Sequence, residues 1–352
     1  MNPAINNSQL TTHNPHLPNH LLNIQNLKVS FHIEEGILHA VDGISFSMKQ
    51  GTTLGLVGES GCGKSVTALS VMRLIPDPPG KIESGGILWK DKNLLTIPLA
   101  EMQELRGREI AMIFQEPMTS LNPVFTVGRQ MEEALHAKFP MKKDKAKKKI
   151  MDMLTFVGIS DPDSRIQNYP HELSGGMIQR IMIAMALLSQ PDLLIADEPT
   201  TALDVTIQAQ ILQLMKELQQ KTSMSILLIT HNMGVIAETC DEVVVMYAGR
   251  IMEKSNVHAL FDNPLHPYTF GLLKSIPPKG VTREKPLFTI EGTVPSLFHP
   301  PKGCRFAERC FQKKSLDKEK QDACFNLDPD LRLLEGDRLV ACHFPLEKDR
   351  MK

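Results

Sequence analysis

From Leu21 onward, hydrophobic residues recur in short runs that are separated by turn residues. The runs LNIQNLKVSF, AVDGISFSM and TTLGLV predict strands in the N-terminal part of the chain. After residue 181, apolar runs such as DLLIAD and MSILLIT alternate with helical patterns such as QAQILQLMKELQQ. Alternating strands and helices favour a mainly parallel sheet covered by helices, so the pattern predicts an α/β fold.

The pattern of apolar residues changes in three other regions, and these changes predict the domain organisation. Residues 1–20 lack apolar periodicity, which is typical of a disordered leader. Residues 116–180 become helical and lysine-rich, which predicts a helical subdomain inserted into a domain spanning residues 21–262. Residues 263–352 lose the strand–helix alternation and hold four of the six cysteines, so we expect a separate C-terminal module there.

Composition narrows the class of protein without identifying it. The hydrophobic fraction of 42% and the charged fraction of 22% are ordinary for a globular protein, and the formal net charge of -1 gives no reason to expect a nucleic-acid partner. No apolar run approaches the roughly 20 residues that a membrane span needs. The start of the chain has no secretory pattern, and no CxxC pair occurs. We therefore expect a cytosolic protein without disulfides.

The segment GESGCGKS, residues 58–65, fits the phosphate-binding pattern GxxxxGK[ST] between a predicted strand and a predicted helix. Its glycines allow backbone N–H groups to surround phosphates, and the helix start adds a partial positive charge. Lys64 would reach the β- and γ-phosphates, and Ser65 would hold Mg²⁺. The predicted ATP contacts also include Gly58, Ser60, Gly61, Cys62, Gly63 and Val66.

The segment LLIADEP, residues 193–199, predicts a buried strand that ends in two carboxylates. Asp197 can hold Mg²⁺, and Glu198 is then placed to orient or deprotonate the attacking water. Because this strand follows a phosphate loop in the same chain, we expect the two segments to form one ATP-hydrolysing site.

The segment LSGGMIQR, residues 173–180, predicts a second helix start that can bind an anion, but it has no lysine. We interpret Ser174, Gly175 and Gly176, with Gln179, as a signature that completes the site of another subunit. ATP would then be sandwiched between residues 58–65 of one subunit and residues 174–176 of its partner.

With these motifs in this order, residues 21–350 resemble the ATP-binding subunits of ABC transporters. The resemblance implies a RecA-like P-loop core with a β-rich N-terminal lobe. It also implies that Gln115 senses Mg²⁺ or water and transmits motion to a membrane partner, and that His231 contacts the γ-phosphate. Asp204 in TTALD would lie at the dimer interface, and Phe31 would stack on adenine.

Three segments narrow the resemblance to oligopeptide and dipeptide importers, namely residues 104–123, HPYT at 266–269 and GLLKSIP at 271–277. MIAMALL and EPTTALD are similar to the D-type subunit. Resemblance to the D-type subunit implies an F-type ATPase partner, two transmembrane permeases and a substrate-binding protein. It also implies peripheral association with the cytoplasmic face of the membrane. A nickel importer of the same subfamily and a non-transport ABC ATPase acting on nucleic acid are the alternatives.

The cysteines Cys304, Cys310, Cys324 and Cys342 are separated by 5, 13 and 17 residues. This spacing matches neither zinc fingers nor ferredoxins, so composition leaves zinc, an iron–sulfur cluster and free thiols open. GCRFAERC and ACHF resemble the C-terminal extension of D-type importer ATPases, which implies a [4Fe-4S] cluster. Phe311 departs from the proline usual there, and His343 beside Cys342 keeps a zinc site open.

Overall fold

The computed structural model describes residues 20–115, 120–136, 139–200, 205–276 and 288–347. The strands are β1 His20–Ile33, β2 Gly36–Lys49, β3 Thr53–Val57, β4 Gly80–Trp89, β5 Lys92–Asn93, β6 Ile110–Ile113, β7 Leu193–Asp197, β8 Ser225–Ile229, β9 Glu242–Tyr247, β10 Arg250–Asn256, β11 Arg332–Leu334 and β12 Arg338–Val340. The α-helices are α1 Lys64–Val71, α2 Leu99–Leu105, α3 Val127–His136, α4 Lys143–Phe156, α5 Pro162–Arg165, α6 Gly175–Leu187, α7 Val205–Thr222, α8 Met233–Thr239, α9 Val257–Asp262, α10 Pro267–Lys274 and α11 Lys318–Asn326. Short 3₁₀ turns occur at Pro170–Glu172, Ala307–Arg309 and Phe311–Ser315.

The strands form a four-stranded antiparallel sheet, β2-β1-β4-β5, and an eight-stranded sheet, β11-β12-β10-β9-β3-β8-β7-β6. In the larger sheet β3, β6, β7, β8 and β9 run parallel to their neighbours, except where β9 meets β10. Every residue of β3, β7 and β8 is buried, as expected for parallel strands covered on both faces. The predicted α/β class with a β-rich N-terminal part is confirmed.

Alternate residues of the central strands face two different cores, because successive side chains of a strand point to opposite faces. Leu194 and Ala196 of β7 pack with the apolar faces of α3, α4 and α6. Leu193 and Ile195 pack with the antiparallel sheet and α1. The larger sheet therefore lies between the helical region and the N-terminal sheet.

The region after residue 262 contributes to the central sheet. Strand β12 pairs with β10 through Glu253↔Val340 and Lys254↔Leu339. The fully buried carboxylate of Glu253 accepts hydrogen bonds from the N–H groups of Leu265 and His266 and pairs with Arg338 at 2.7 Å. Residues of the C-terminal region are therefore hydrogen-bonded to the central sheet, which the loss of periodicity after residue 262 did not predict. The exact domain boundaries stay predictions.

Two expectations fall outside the described residues, namely the leader up to residue 19 and Asp204. Helices α3, α4 and α5 lie within the range of the predicted helical insertion. Among the described helices, none combines the length and apolar character that crossing a bilayer requires.

Candidate nucleotide-binding and hydrolysis site

The loop between β3 and α1 approaches neighbouring backbone so closely that two of its positions need glycine. Gly58 has a φ of 153°, and a Cβ there would lie 2.1 Å from the carbonyl oxygen of Met246. Gly63 has a φ of 102°, and a Cβ there would lie 2.4 Å from the carbonyl oxygen of Ala40. Because a side chain at either position would collide with backbone, both positions require glycine, and the loop packs closely against β2 and β9.

Lys64 begins α1 and is buried beneath the loop. Its Nζ donates hydrogen bonds to the carbonyl oxygens of Gly58 at 2.9 Å and Glu59 at 3.1 Å. These carbonyls are neutral, so the ammonium keeps its positive charge available for an anion. The crest of the loop, at Ser60 and Gly61, is exposed and therefore accessible to phosphate.

Ser65 and Asp197 meet between the loop and the end of β7. Burial raises the pKa of Asp197 despite a side-chain hydrogen bond with Ser65, and the neighbouring Glu198 raises it further. Within the described residues, Oδ1 of Asp197 is buried without a hydrogen-bond partner. A hydroxyl and a carboxylate with an unused oxygen are ligands that Mg²⁺ favours, so this pair fits the predicted metal.

The carboxylate of Glu198 lies between two other predicted residues. Glu198 has a φ of 47°, and its N–H donates to the carbonyl oxygen of Ile229 at 2.9 Å. Nε2 of Gln115 lies 3.3 Å from one carboxylate oxygen, and Nδ1 of His231 lies 3.2 Å from the other. The structure thus brings together three residues that the sequence places 83 and 33 positions apart.

The second glycine-rich helix start lies at the surface. Ser174 caps α6, and its hydroxyl accepts a hydrogen bond from the N–H of Met177 at 3.4 Å. Ser174 and Gly175 are exposed, and a Cβ on Gly175 would meet nothing within 4 Å. Gln179 is only 2% exposed and lies one turn further along the helix, and its part in the signature stays a prediction. The exposed surface of this helix start is therefore formed by Ser174 and Gly175, with Gly176 half-buried beside them.

Three other predicted ATP contacts have a packing role in the described structure. Phe31 is partly buried in β1, and a Cβ on Gly80 would lie 2.8 Å from its ring. The Cys62 side chain is buried under the loop, where burial raises the pKa of its thiol. Val66 packs against the core beneath the N-terminal sheet. Stacking of Phe31 on adenine stays a prediction.

The four C-terminal cysteines lie close to one another. The N–H of Cys304 donates to the carbonyl oxygen of Cys324 at 2.9 Å. Burial raises the pKa of the Cys304 thiol to about 12, and the neighbouring Cys310 and Cys324 contribute to this rise. Burial likewise raises the pKa of the Cys342 thiol, and the other three cysteines raise it further. All four are free cysteines.

No group of three or more His, Cys, Asp or Glu among the described residues is arranged to hold a metal ion. His343, which kept a zinc site open, has its Nε2 2.8 Å from the carbonyl oxygen of Leu327. The ligation of a cluster or of zinc therefore stays a prediction.

Sequence reasoning missed a role for Glu59 in the phosphate loop and the two residues beside the loop that contact it. The N–H of Glu59 donates to the hydroxyl of Tyr268 at 2.9 Å, and the Glu59 carboxylate pairs with Arg309 at 2.9 Å. Tyr268 belongs to HPYT and Arg309 to GCRFAERC, so both lie in segments that carried the family resemblance. Their contacts with residue 59 have no local sequence signal.

Two family models match the chain. The model described as "ABC transporter" matches residues 41–201, and the model described as "Oligopeptide/dipeptide transporter, C-terminal region" matches residues 252–315. The first match contains the phosphate loop, the carboxylates and the exposed helix start. The second contains Tyr268, Arg309 and two of the four cysteines.

Characterised relatives extend the likeness to nearly the whole chain. The dipeptide transport ATP-binding protein DppD of Bacillus subtilis is 53% identical over 290 residues, which cover 82% of this chain and 86% of DppD. The oligopeptide transport ATP-binding protein AppD of Bacillus subtilis is 50% identical over 322 residues, covering 92% and 96%. DppD of Escherichia coli is 46% identical over 327 residues, covering 93% and 97%.

Solved structures show the same fold in ATP-binding cassettes. The dimeric, post-hydrolysis cassette MJ0796 bound to ADP and Pi has a TM-score of 0.61 at 24% identity, covering 67% of this chain and 98% of that one. CbiO1 of Clostridium perfringens, part of the transporter complex cbiONQ, has a TM-score of 0.58 at 26% identity, covering 69% and 91%.

The fold and the site together define an ABC-type ATPase, whose ATP hydrolysis is coupled to transport. At the identities and coverage of its relatives, the chain belongs to the family of ATP-binding subunits of oligopeptide and dipeptide ABC transporters.

Proposed function

We propose that this chain supplies the ATP hydrolysis that drives peptide import across the cytoplasmic membrane, as the D-type subunit of its transporter. The observation that carries the proposal is an ATP-hydrolysing site in the same chain as the C-terminal region of peptide transporters. The relatives described as dipeptide or oligopeptide transport proteins support the peptide as cargo over nickel.

In this proposal each residue of the site has one task. Lys64 neutralises charge on the β- and γ-phosphates, while Ser65 and Asp197 hold Mg²⁺. Glu198 accepts hydrogen bonds from Gln115 and His231, so its carboxylate is oriented to direct the attacking water. When nucleotide is bound, His231 would contact the γ-phosphate.

The site would be completed by a second ATPase subunit. Ser174 and Gly175 are exposed and Gly176 is half-buried, and this helix start has no lysine, so residues 174–176 suit a phosphate already held by a partner's loop. An F-type subunit would be this partner, with Asp204 at the shared interface. Two transmembrane permeases would dock at the cytoplasmic face near the segment after Gln115, and a substrate-binding protein would deliver the peptide.

The cysteine region is proposed to hold a [4Fe-4S] cluster. Four free thiols lie near one another, and burial raises their pKa values, so a cationic centre would stabilise the thiolates. A single zinc ion needs sulfur atoms about 3.8 Å apart, the spacing set by Zn–S bonds of about 2.3 Å in a tetrahedron. Among the described residues no group of three or more His, Cys, Asp or Glu is arranged to hold a metal ion, so the cluster is proposed on the resemblance of GCRFAERC and ACHF to the extension that ligates one.

Anaerobic purification tests the cluster directly. We expect a brown protein with about four iron and four sulfide per chain, lost in Cys304→Ser. Stoichiometric zinc without iron, or a colourless protein without metal, would contradict this part of the proposal. Neither result bears on the nucleotide site.

Transport by the assembled complex tests the function. Proteoliposomes that hold the complex with its binding protein should accumulate labelled dipeptide only when ATP is present. Lys64→Ala should abolish this uptake, because the variant loses the cation that binds phosphate. ATP-dependent uptake of nickel but not of peptide would instead favour the nickel importer, and copurification with nucleic acid rather than permeases would contradict transport.

A further inference from the structure

Glu59, the second residue of the phosphate loop, has all three of its polar groups engaged. Its N–H donates to Tyr268 at 2.9 Å, its carbonyl oxygen accepts from Lys64 at 3.1 Å, and its carboxylate accepts from Arg309 at 2.9 and 3.1 Å. The residue therefore links Lys64 to two side chains from the region after residue 262.

Arg309 is itself held on every side. Besides the Glu59 carboxylate, its guanidinium donates to the carbonyl oxygens of Glu291 at 3.1 Å and Ile290 at 3.3 Å, and to the hydroxyl of Tyr247 at 3.1 Å. Its side chain is 8% exposed and that of Glu59 is 26% exposed, so the ion pair is partly shielded from water. A guanidinium held at this many points is a rigid partner for a loop carboxylate.

The position of Tyr268 is fixed by aromatic packing and by a hydrogen bond from its N–H group. Its ring is fully buried and packs against Tyr247, at a centroid distance of 4.6 Å, and against Phe306, at 5.3 Å. Nδ1 of the buried His266 caps the helix α10 by accepting from the N–H of Tyr268 at 3.0 Å. The hydroxyl that binds the loop is therefore placed by a packed aromatic cluster.

We propose that Tyr268 and Arg309 are positioning residues for ATP binding, which hold Glu59, and through its carbonyl Lys64, in the phosphate-receiving conformation. The inference rests on the proposed function, because it assumes that Lys64 binds the phosphates of ATP. Without these contacts the loop samples other conformations, and the apparent Kd rises in inverse proportion to the fraction of the loop that remains competent. The cost falls on ATP affinity, whereas kcat at saturating ATP is preserved.

Tyr268→Phe and Arg309→Met separate the two contacts. Tyr268→Phe keeps the packed ring and removes only the hydroxyl that accepts from Glu59, and Arg309→Met keeps an unbranched apolar stem. In the assembled transporter we expect each variant to raise the KM for ATP about tenfold and to leave kcat within about threefold of the parent. Arg309→Lys should recover part of the affinity, because it restores charge but not the fork geometry.

Arg305→Met is the matched control. Arg305 lies four positions from Arg309 in the same segment, and its buried side chain also pairs with a carboxylate of the core, that of Asp42 in β2. Losing it should lower thermal stability about as much as losing Arg309 does. Since Asp42 lies outside residues 58–65, the KM for ATP should stay at the parent value.

A double-mutant cycle with Glu59→Gln decides between positioning and general stability. If Arg309 acts through Glu59, the double variant should bind ATP about as weakly as Arg309→Met alone. Additive losses, or an unchanged KM in both Tyr268→Phe and Arg309→Met, would overturn the inference. Lys64→Ala is measured alongside to test the phosphate site separately from the positioning role of Tyr268 and Arg309. Unchanged ATP affinity in Lys64→Ala would refute the phosphate site itself.

Discussion

Two glycine-rich helix starts in this chain, residues 58–65 and residues 174–176, occupy opposite environments. The first is pressed against β2 and β9, contains a buried lysine and is bound by Tyr268 and Arg309. The second is exposed, has no lysine, and leaves open space around Gly175. The first start begins after a left-handed Gly63, whereas the second begins after an extended Ser174 whose side chain caps the helix. Under the proposed function, the first start binds its phosphates within the chain and the second would complete the site of a partner.

Glu198→Gln should give the largest effect, because it removes the carboxylate that acts on water while leaving the phosphate loop intact. We expect kcat for ATP hydrolysis to fall by about 10³, within the range typical of a lost general base. Phosphate release by the assembled complex measures the loss, and nucleotide binding should persist. Hydrolysis at the parent rate would remove Glu198 from its proposed role.

Gly58→Ala tests the claim that the first helix start is fixed by its neighbours. The new Cβ would collide with the carbonyl oxygen of Met246, so the loop must move and ATP affinity should fall about 100-fold. Gly61→Ala is the comparison, since its φ of 77° is also left-handed but nothing lies within 4 Å of the added Cβ. Its loss should be clearly smaller, and equal losses measured by nucleotide titration would contradict the steric account.

His266→Asn should give a smaller effect, on stability alone. Burial lowers the pKa of His266 to about 3. The unfolded chain takes up this proton near pH 6.5, so the stability contribution is present above that pH and is lost progressively as pH falls toward 3. The parent should therefore lose about 1.6 kcal/mol from this group between pH 6.5 and 5.

Asn at this position can still cap the helix but does not titrate. The free energy of unfolding of His266→Asn should therefore fall less than that of the parent between pH 6.5 and 5, by the amount given above. Urea unfolding at a series of pH values measures the difference. His299→Asn, at an exposed histidine, is the control and should follow the parent. A parent-like acid limb in His266→Asn would contradict the assignment.

Sequence reasoning predicted the parts of the site that lie within short contiguous motifs. GESGCGKS combines a turn, a helix start and the reactive side chains within eight residues, and LLIADEP combines a strand with its two carboxylates, so local patterns are sufficient to predict both. Tyr268 and Arg309 lie 209 and 250 positions from Glu59, and no periodicity links such distant positions. The three-residue strands β11 and β12 were missed for a related reason, because they are too short for alternation to be visible.

Gln179 shows a different limit of sequence reasoning. It follows Gly175 by four positions in the predicted signature, and its side chain is buried where α6 packs into the core. The motif identifies the start of the helix, but the packing of the helical region decides which of its side chains remain accessible.

The most direct test of the shared site is Gly175→Asp, with ATP binding by the full chain and ATP hydrolysis by the assembled transporter measured side by side. An acid in the first turn of α6 is compatible with the helix dipole and has open space, so the fold and ATP affinity of the chain should be retained. In the complex the same carboxylate would repel the triphosphate held by the partner, and hydrolysis should fall about 100-fold. Parent-level hydrolysis in the complex, or lost ATP affinity in the chain alone, would contradict a site shared between two subunits.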